Sequence, residues 1–261
     1  DEQRWDPKQR YCVVTFDDGW LDNYLYAFPL LRQHAVPATV FLPTGFIGTE
    51  DWFWPEKMAW MYRQYATRKE GEKQRCLEAL RSRYSWLGGF SLAVVRGDVN
   101  ALIEQCKTFN SEQLDALLSG WAASLEVGLP LERQVINWDE ARAMSAAGVS
   151  FGSHSVSHKI LTKLTPREIV QEVEGSWATL AQQRVNSVPV FCYPNGDWST
   201  DISSAVKAAG YKAATTTEFG YETQMPTNQF GLKRVNVHDH ITCTDNLFGF
   251  HLAGYNNMRS R

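Results

Sequence analysis

Two short motifs contain the side chains of this chain that are best suited to chemistry. The first is TFDDG at 15–19, in which the adjacent carboxylates Asp17 and Asp18 follow an apolar run. The second is HSVSH at 154–158, which places two imidazoles four residues apart. One carboxylate and two histidines can hold a divalent metal ion and leave positions open for water and substrate. The spare carboxylate can then take a proton from that water, so the two motifs predict a metal-dependent hydrolase.

Both motifs follow predicted strands in a repeated strand–helix pattern. Apolar runs bounded by turn residues predict six strands, at 11–16, 38–42, 149–153, 188–193, 212–217 and 232–237. Helix periodicity and helix-start signals predict helices at 21–33, 137–147, 165–183, 199–209 and 244–252, with Pro29 bending the first. Alternating strands and helices imply a parallel α/β sheet, and their number fits a barrel or near-barrel. In such folds the carboxyl ends of the strands surround the active site, which is where both motifs would lie.

A long segment at about 50–133 interrupts this pattern after the second strand. It contains helical stretches and a charged run at 68–73, which is typical of a solvated helix face or loop. No linker rich in Pro, Gly or Ser marks its edges. We therefore expect a helical insertion within one domain that spans 1–261.

The composition is that of an ordinary globular protein and excludes several classes of partner. The chain has 261 residues, a formal net charge of −3 and no apolar run near the ~20 residues of a membrane span. From these features we expect no nucleic-acid partner and no transmembrane segment. The five cysteines form no CxxC pair, which argues against a zinc knuckle and a disulfide framework. The chain begins without a signal-peptide pattern, and the sequence favours no compartment or oligomeric state.

The order of the motifs resembles that of the polysaccharide deacetylase family, which is carbohydrate esterase family 4 or the NodB homology domain. TFDDG, HSVSH, a YPNG turn at 193–196 and a strand that ends in His238 and Asp239 follow one another as in that family. The resemblance covers about 11–49 and 134–250 and leaves out the helical insertion. It implies a distorted (β/α) barrel of the NodB type that removes the N-acetyl group of an amino sugar in a glycan and releases acetate.

The resemblance also implies a role for each motif residue. Asp17 matches the catalytic base of the family. Asp18, His154 and His158 match its metal ligands, and Ser155 matches a residue that braces the loop by hydrogen bonding. The ion expected is Zn²⁺, with Co²⁺, Ni²⁺ or Fe²⁺ as alternatives, because two histidines and one carboxylate suit all of them.

The third motif departs from the usual pattern of the family. Cys192 stands where the family often has an Arg that orients the catalytic Asp, and the FxYPxG form resembles one branch of the family. Arg234, from a later strand, is the candidate replacement, and a structural ion pair is the alternative. The backbone N–H of Asn195 matches a group that stabilises an oxyanion together with the metal. Tyr193 and Pro194 of the same turn are expected at the substrate site.

The general acid is expected among His238, Asp239 and His240. His238 is favoured because it ends the last predicted strand and because a histidine can donate a proton at neutral pH. Two alternatives to N-deacetylation stay open. The same site could hydrolyse O-acetyl esters, as acetylxylan esterases of the family do. The domain could also bind glycans without turnover, for which Cys192 in place of the motif Arg is the best argument.

Overall fold

A computed structural model of the protein describes residues 6, 10–87, 98–223, 225–238 and 242–254. The chain divides into two compact units, one made of 1–47 with 135–261 and the other of 48–134. All the predicted site residues belong to the first unit, and the second coincides closely with the predicted insertion. That the two units form one domain stays a prediction.

The first unit is built on a six-stranded sheet. In the described residues its strands are β1 (Val14–Phe16), β2 (Ala38–Leu42), β3 (Ser150–Ser153), β4 (Ser187–Cys192), β5 (Ala213–Phe219) and β6 (Leu232–Arg234). Each strand pairs in parallel with the next one along the chain. The sheet curls into a half-barrel. This curl brings Arg234 at the end of β6 to Asp17, just beyond the end of β1. The predicted α/β class with parallel strands is therefore confirmed.

Helices connect and surround these strands. In the described residues they are α1 (Phe28–Gln33), α2 (Trp54–Ala66), α3 (Glu70–Arg83), α4 (Val99–Cys106), α5 (Ser111–Leu125), α6 (Trp138–Ala146), α7 (Pro166–Gln182), α8 (Thr200–Ala208) and α9 (Asp245–Leu252). Helices α2 to α5 make up the second unit, and Met58, Leu102, Leu117 and Trp121 belong to its separate hydrophobic core. Across the described residues, none of the helices combines the length and apolar character needed to cross a bilayer.

The structure differs from the predicted elements mainly at the two edges of the sheet. β1 begins at Val14, and 11–13 are exposed and not part of the strand. β6 ends at Arg234, so the prediction of a strand through 237 is wrong. An edge strand pairs on one side only, which is why apolar residues at its ends need not join the sheet.

The first predicted helix changes its hydrogen-bond pattern before Pro29. A π-helical turn, Asn23–Ala27, leads directly into α1, and Pro29 is the second residue of α1. Because Pro29 has no N–H, a regular α-helix through it would leave one carbonyl without its partner. A π-helical turn is a common way for a helix to absorb such an interruption, so the predicted bend takes this form.

Helix α7 is anchored as its sequence predicts. Thr165 caps it, since the Thr165 hydroxyl accepts from the N–H of Glu168 and the Glu168 carboxylate accepts from the N–H of Thr165. Ile169 and Val173 on its inner face are buried in one cluster with Phe191 of β4. This packing fixes the rotation of α7 and therefore the direction in which its other side chains point.

Candidate active site

The predicted site residues other than His238 lie at the carboxyl ends of the parallel strands. Asp17 and Asp18 follow β1, and His154 follows β3 directly. Leu42 of β2 lies in register with Ser153, the last residue of β3, so the strand ends are level. Because parallel strands present their carboxyl ends at the same edge, residues more than a hundred positions apart come into contact there.

Asp18, His154 and His158 converge through one atom each. Oδ1 of Asp18 lies 3.4 Å from Nε2 of His154 and 3.1 Å from Nε2 of His158. The second oxygen of Asp18, Oδ2, accepts a hydrogen bond of 3.1 Å from the indole N–H of Trp20. Oδ1 is buried and, among the described residues, no group completes a well-formed hydrogen bond to it. The oxygen that faces both histidines is therefore the one left available to a ligand.

The tautomer of His154 is set by β4. Its Nδ1 lies 2.7 Å from the carbonyl oxygen of Cys192, which can only accept a hydrogen bond. In the neutral ring Nδ1 therefore carries the proton, and the lone pair of Nε2 points toward the carboxylate of Asp18. Two acceptors that face each other in this way are stabilised by a cation between them. One carboxylate oxygen and two imidazole nitrogens suit Zn²⁺ and related divalent ions, so the residues fit the expected metal.

The ligand cluster is closed on one side and open on the other. The side chain of His154 is only 3% exposed, whereas those of His158 and Asp18 are 19% and 23% exposed. An ion held by these groups has a buried side and a side that faces solvent. The open side is where water and a substrate carbonyl would bind.

Asp17 is held by Arg234 and not by the histidines. The Nη1 and Nη2 groups of Arg234 each donate to one oxygen of the Asp17 carboxylate at 2.7 Å. The Nε group of Arg234 donates to the carbonyl of Thr216 at 2.8 Å, which ties the guanidinium to β5. Nη2 also lies 3.4 Å from the sulfur of Cys192. The candidate for orienting Asp17 thus reaches it from another strand, beside the position where the family often has its Arg.

Both carboxyl groups have lowered pKa values, although burial acts in the opposite direction. Burial raises the pKa of Asp17, but the hydrogen bonds from Arg234 and the charges of His154 and Arg234 outweigh it. Burial also raises the pKa of Asp18, and the contacts of its carboxylate with His154 and His158, when these rings are protonated, outweigh that effect. Both groups are therefore carboxylates at neutral pH, so Asp18 can ligate a cation and Asp17 can accept a proton.

The backbone of the site is left-handed at several residues other than glycine. Asp18 has φ 69°, Ser155 has φ 66°, His158 has φ 54° and Asn195 has φ 60°. Such conformations cost about 1–3 kcal/mol each and persist only where surrounding contacts hold them. Four of them at one edge of the sheet indicate that neighbouring contacts are needed to keep this geometry.

The YPNG turn lies at the same edge of the sheet. The contacts of its side chains hold the turn in place. Tyr193 and Pro194 are buried, and the hydroxyl of Tyr193 donates to the carbonyl of Phe230 at 2.9 Å. Asn195 is exposed, while Gly196 has φ 78° and a Cβ there would collide with the side chain of Thr217. The oxyanion role of Asn195 and direct substrate contacts of Tyr193 and Pro194 stay predictions.

His238 lies beyond the end of β6 and is exposed. Its carbonyl accepts hydrogen bonds from the N–H and the hydroxyl of Thr242, at 2.9 Å and 2.7 Å. Its ring is not part of either group of converging ligands found in the described residues. Asp239 and His240 lie outside the described residues. The assignment of the general acid stays a prediction.

Sequence reasoning missed two residues that support the site. Trp20 donates to Asp18, as described above. Glu172 of α7 accepts from the backbone N–H groups of Val156 and Ser157, both at 2.8 Å. The signal for Glu172 was its position next to Val173 on the inner side of an amphipathic helix, where a carboxylate needs a polar partner.

Comparison with known proteins bears on the family and the fold of this chain. The family model described as polysaccharide deacetylase matches residues 5–71 and 110–214. A curated Bacillus subtilis protein, named "Putative polysaccharide deacetylase YxkH", is 20% identical over 231 residues. The match covers 88% of this chain and 53% of that protein, so the chain spans about half the length of this relative.

Two solved structures share the fold. The Streptococcus pyogenes deacetylase PplD, in complex with acetate, has a TM-score of 0.55 and 16% identity, with 92% of this chain and 70% of that chain covered. BC0361, a polysaccharide deacetylase from Bacillus cereus, has a TM-score of 0.53 and 18% identity, with 92% and 50% covered. At these identities the likeness concerns the fold alone, and it confirms the predicted NodB-type α/β class.

Proposed function

The chain belongs to the polysaccharide deacetylase family, and from this premise we propose that it removes the N-acetyl group of an amino sugar in a glycan by metal-dependent hydrolysis. The observation that carries the proposal is the convergence of Asp18, His154 and His158 beside the Asp17–Arg234 pair. On this proposal the three ligands hold a cation next to Asp17, whose carboxylate is ionised and oriented by Arg234 and serves as the base.

Each residue of the site has a distinct part in the proposed reaction. The chemistry that a divalent ion supplies at Asp18, His154 and His158 is Lewis acidity, which polarises a carbonyl and lowers the pKa of water. Asp17 takes a proton from the water whose oxygen attacks the acetyl carbon. The N–H of Asn195 donates to the oxyanion that forms. The C–N bond then breaks, a proton reaches the nitrogen, and acetate and a free amine leave.

The proton for the amine would come from His238. Its exposed position after β6 lets the side chain give up a proton and regain one from solvent. If the bond broken were an ester, the same steps would release an alcohol in place of the amine. O-deacetylation is therefore the alternative that the same geometry supports.

The bidentate contact of Arg234 supports a catalytic role for the domain. The argument for a non-catalytic glycan-binding domain was that Cys192 replaces the family's orienting Arg. Arg234 supplies such an orientation to Asp17 from β6, with both oxygens of the carboxylate engaged. The presence of Cys192 in place of the family's Arg is therefore a weak argument for a domain without activity.

An acetate-release assay tests the proposed function. We expect the metal-loaded protein to release acetate from oligomers of N-acetylglucosamine, and chelation followed by return of Zn²⁺ to abolish and restore this release. Acetylated xylan serves as the ester substrate in the same assay. Release from xylan alone would favour the O-esterase alternative. A metal-loaded protein that binds N-acetylglucosamine oligomers without releasing acetate would favour the non-catalytic one.

Arg234→Lys is expected to lower kcat by up to about 100-fold, because a lysine cannot hold both oxygens of Asp17 and a misplaced reacting group can cost that much. The metal content should stay at the parent level, since Arg234 contacts no expected ligand side chain. The measurements are kcat and metal stoichiometry. Lys233→Arg, at the exposed neighbouring position, is the matched control and should behave as the parent does. An unchanged kcat in Arg234→Lys would show that Arg234 only forms a structural ion pair.

A further inference from the structure

The loop that connects the two expected histidine ligands is held in an unfavourable backbone conformation. Ser155 and His158 have φ values of 66° and 54°, a region that costs residues with a Cβ atom free energy. The Ser155 hydroxyl accepts a hydrogen bond of 3.0 Å from the N–H of His158, which links the two left-handed residues. This one bond leaves the N–H groups of the two residues between them in need of partners.

Glu172 of α7 supplies those partners. One of its carboxylate oxygens accepts from the N–H of Val156 and from the N–H of Ser157, both at 2.8 Å. The other oxygen accepts from the hydroxyl of Ser157 at 2.5 Å. Hydrogen bonds to an ionised carboxylate are roughly twice as strong as neutral ones. Among the described residues, no ion pair to a Lys, Arg or His competes for this carboxylate.

The opposite side of the loop is held by the segment that follows β2. The N–H groups of Thr44 and Gly45 donate to the carbonyls of Ser155 and Val156, at 3.1 Å and 2.9 Å. The approach is close, because a Cβ on Gly45 would lie 2.8 Å from the carbonyl oxygen of Val156. The segment is thus held between a fixed backbone on one side and Glu172 on the other, and His158 follows it directly.

We propose that Glu172 is a positioning residue that sets the metal affinity of the site by fixing the loop between His154 and His158. The proposal rests on the proposed function in that it takes these histidines as metal ligands. Without the carboxylate the two backbone N–H groups lose their charged acceptor, the loop relaxes, and Nε2 of His158 moves away from Oδ1 of Asp18. Loss of a group that supports metal ligands typically lowers metal affinity by about 10–100-fold. Glu172 touches neither the ligand atoms nor Asp17, so the metal-saturated protein keeps its kcat.

The test compares Glu172→Gln with Glu174→Gln, an exposed glutamate on the same helix. Zn²⁺ affinity is measured by competition with a chromophoric chelator, and the visible spectrum of the Co²⁺ form reports the ligand geometry. We expect Glu172→Gln to bind Zn²⁺ about 10–100-fold more weakly and to show an altered Co²⁺ spectrum. Glu174→Gln should match the parent in both measurements, and saturating Zn²⁺ should return Glu172→Gln to the parent kcat.

Ser157→Ala keeps the proposal testable if Glu172→Gln does not fold. It removes only the hydroxyl that donates to Glu172 and should weaken Zn²⁺ binding by about 2–10-fold, the scale of one hydrogen bond. Parent-like Zn²⁺ affinity in Glu172→Gln, or in Ser157→Ala where that is the folded variant, would overturn the role of Glu172 and leave the proposed function intact. A parent protein that binds no divalent ion would overturn both.

Discussion

Asp17→Asn is expected to lower kcat by at least about 100-fold, the usual scale of a general base, while the protein keeps its metal. The amide has the size of the carboxylate but cannot accept the proton of the attacking water. Metal binding should persist, because Oδ1 of Asp18 and the Nε2 atoms of His154 and His158 form the proposed ligand set. The measurements are kcat for acetate release and metal content by elemental analysis. Asp22→Asn, an exposed carboxylate in the same stretch, is the control and should be fully active.

Loss of the metal in Asp17→Asn would point to a different ligand set. Asp17, His154 and Cys192 also bring their ligand atoms within 4.8 Å of one another. Both oxygens of Asp17, however, accept hydrogen bonds from Arg234, whose guanidinium also lies 3.4 Å from the sulfur of Cys192. A cation at that position would stand beside another cation, so this set is disfavoured. Loss of metal in Asp17→Asn would nevertheless identify Asp17 as a ligand, and unchanged kcat would exclude it as the base.

The parts of the fold that could be predicted are those specified by local sequence. β2 lies where it was predicted, at Ala38–Leu42, because Pro37 and Pro43 bound its apolar run. Helix α7 begins directly after its predicted cap, Thr165, because a capping residue is also a local sequence signal. The ends of β1 and β6 were predicted too long, because apolar character alone does not show where an edge strand stops pairing.

The candidate site likewise contains residues that could be predicted from local sequence and residues that could not. His154, His158 and the Asp pair could be selected because their residue types and spacing are typical of metal-ligand chemistry, and the family resemblance then pointed to Asp18 as the ligand. The contact between Arg234 and Asp17 could only be a guess, since it depends on how far the sheet curls to bring β6 to β1. Glu172 was missed because its position on the inner side of α7 signals only that it needs a polar partner, and the backbone N–H groups that it contacts have no signature in the sequence.

The different directions of the two neighbouring Asp side chains are also a backbone effect. Asp18 has φ 69°, so the chain turns sharply between the two residues, and the N–H of Gly19 donates to the carbonyl of Asp17 at 2.8 Å. This turn lets Asp18 face the histidines while Asp17 faces Arg234. Replacing Asp by Asn at position 18 should therefore affect metal binding, and the same replacement at position 17 should affect proton transfer.

Asp18→Asn is expected to lower the affinity for Zn²⁺ by more than about 100-fold, since it removes a charged ligand and not merely a group that supports one. Acetate release at low Zn²⁺ should fall to background. A ligand that binds only the folded state raises its stability, so Zn²⁺ should raise the Tm of the parent and of Asp17→Asn but not that of Asp18→Asn. The measurements are Zn²⁺ affinity, and Tm with and without Zn²⁺.

Asp17→Asn is the matched control for this experiment, because it makes the same chemical change one residue away. An amide at position 18 can still accept the indole hydrogen bond of Trp20, so the turn should keep its shape and the variant should fold. Zn²⁺ affinity equal to that of the parent would show that the ion does not depend on Oδ1 of Asp18. That result would shift the metal site toward Asp17 and Cys192 and would exchange the roles proposed for the two carboxylates.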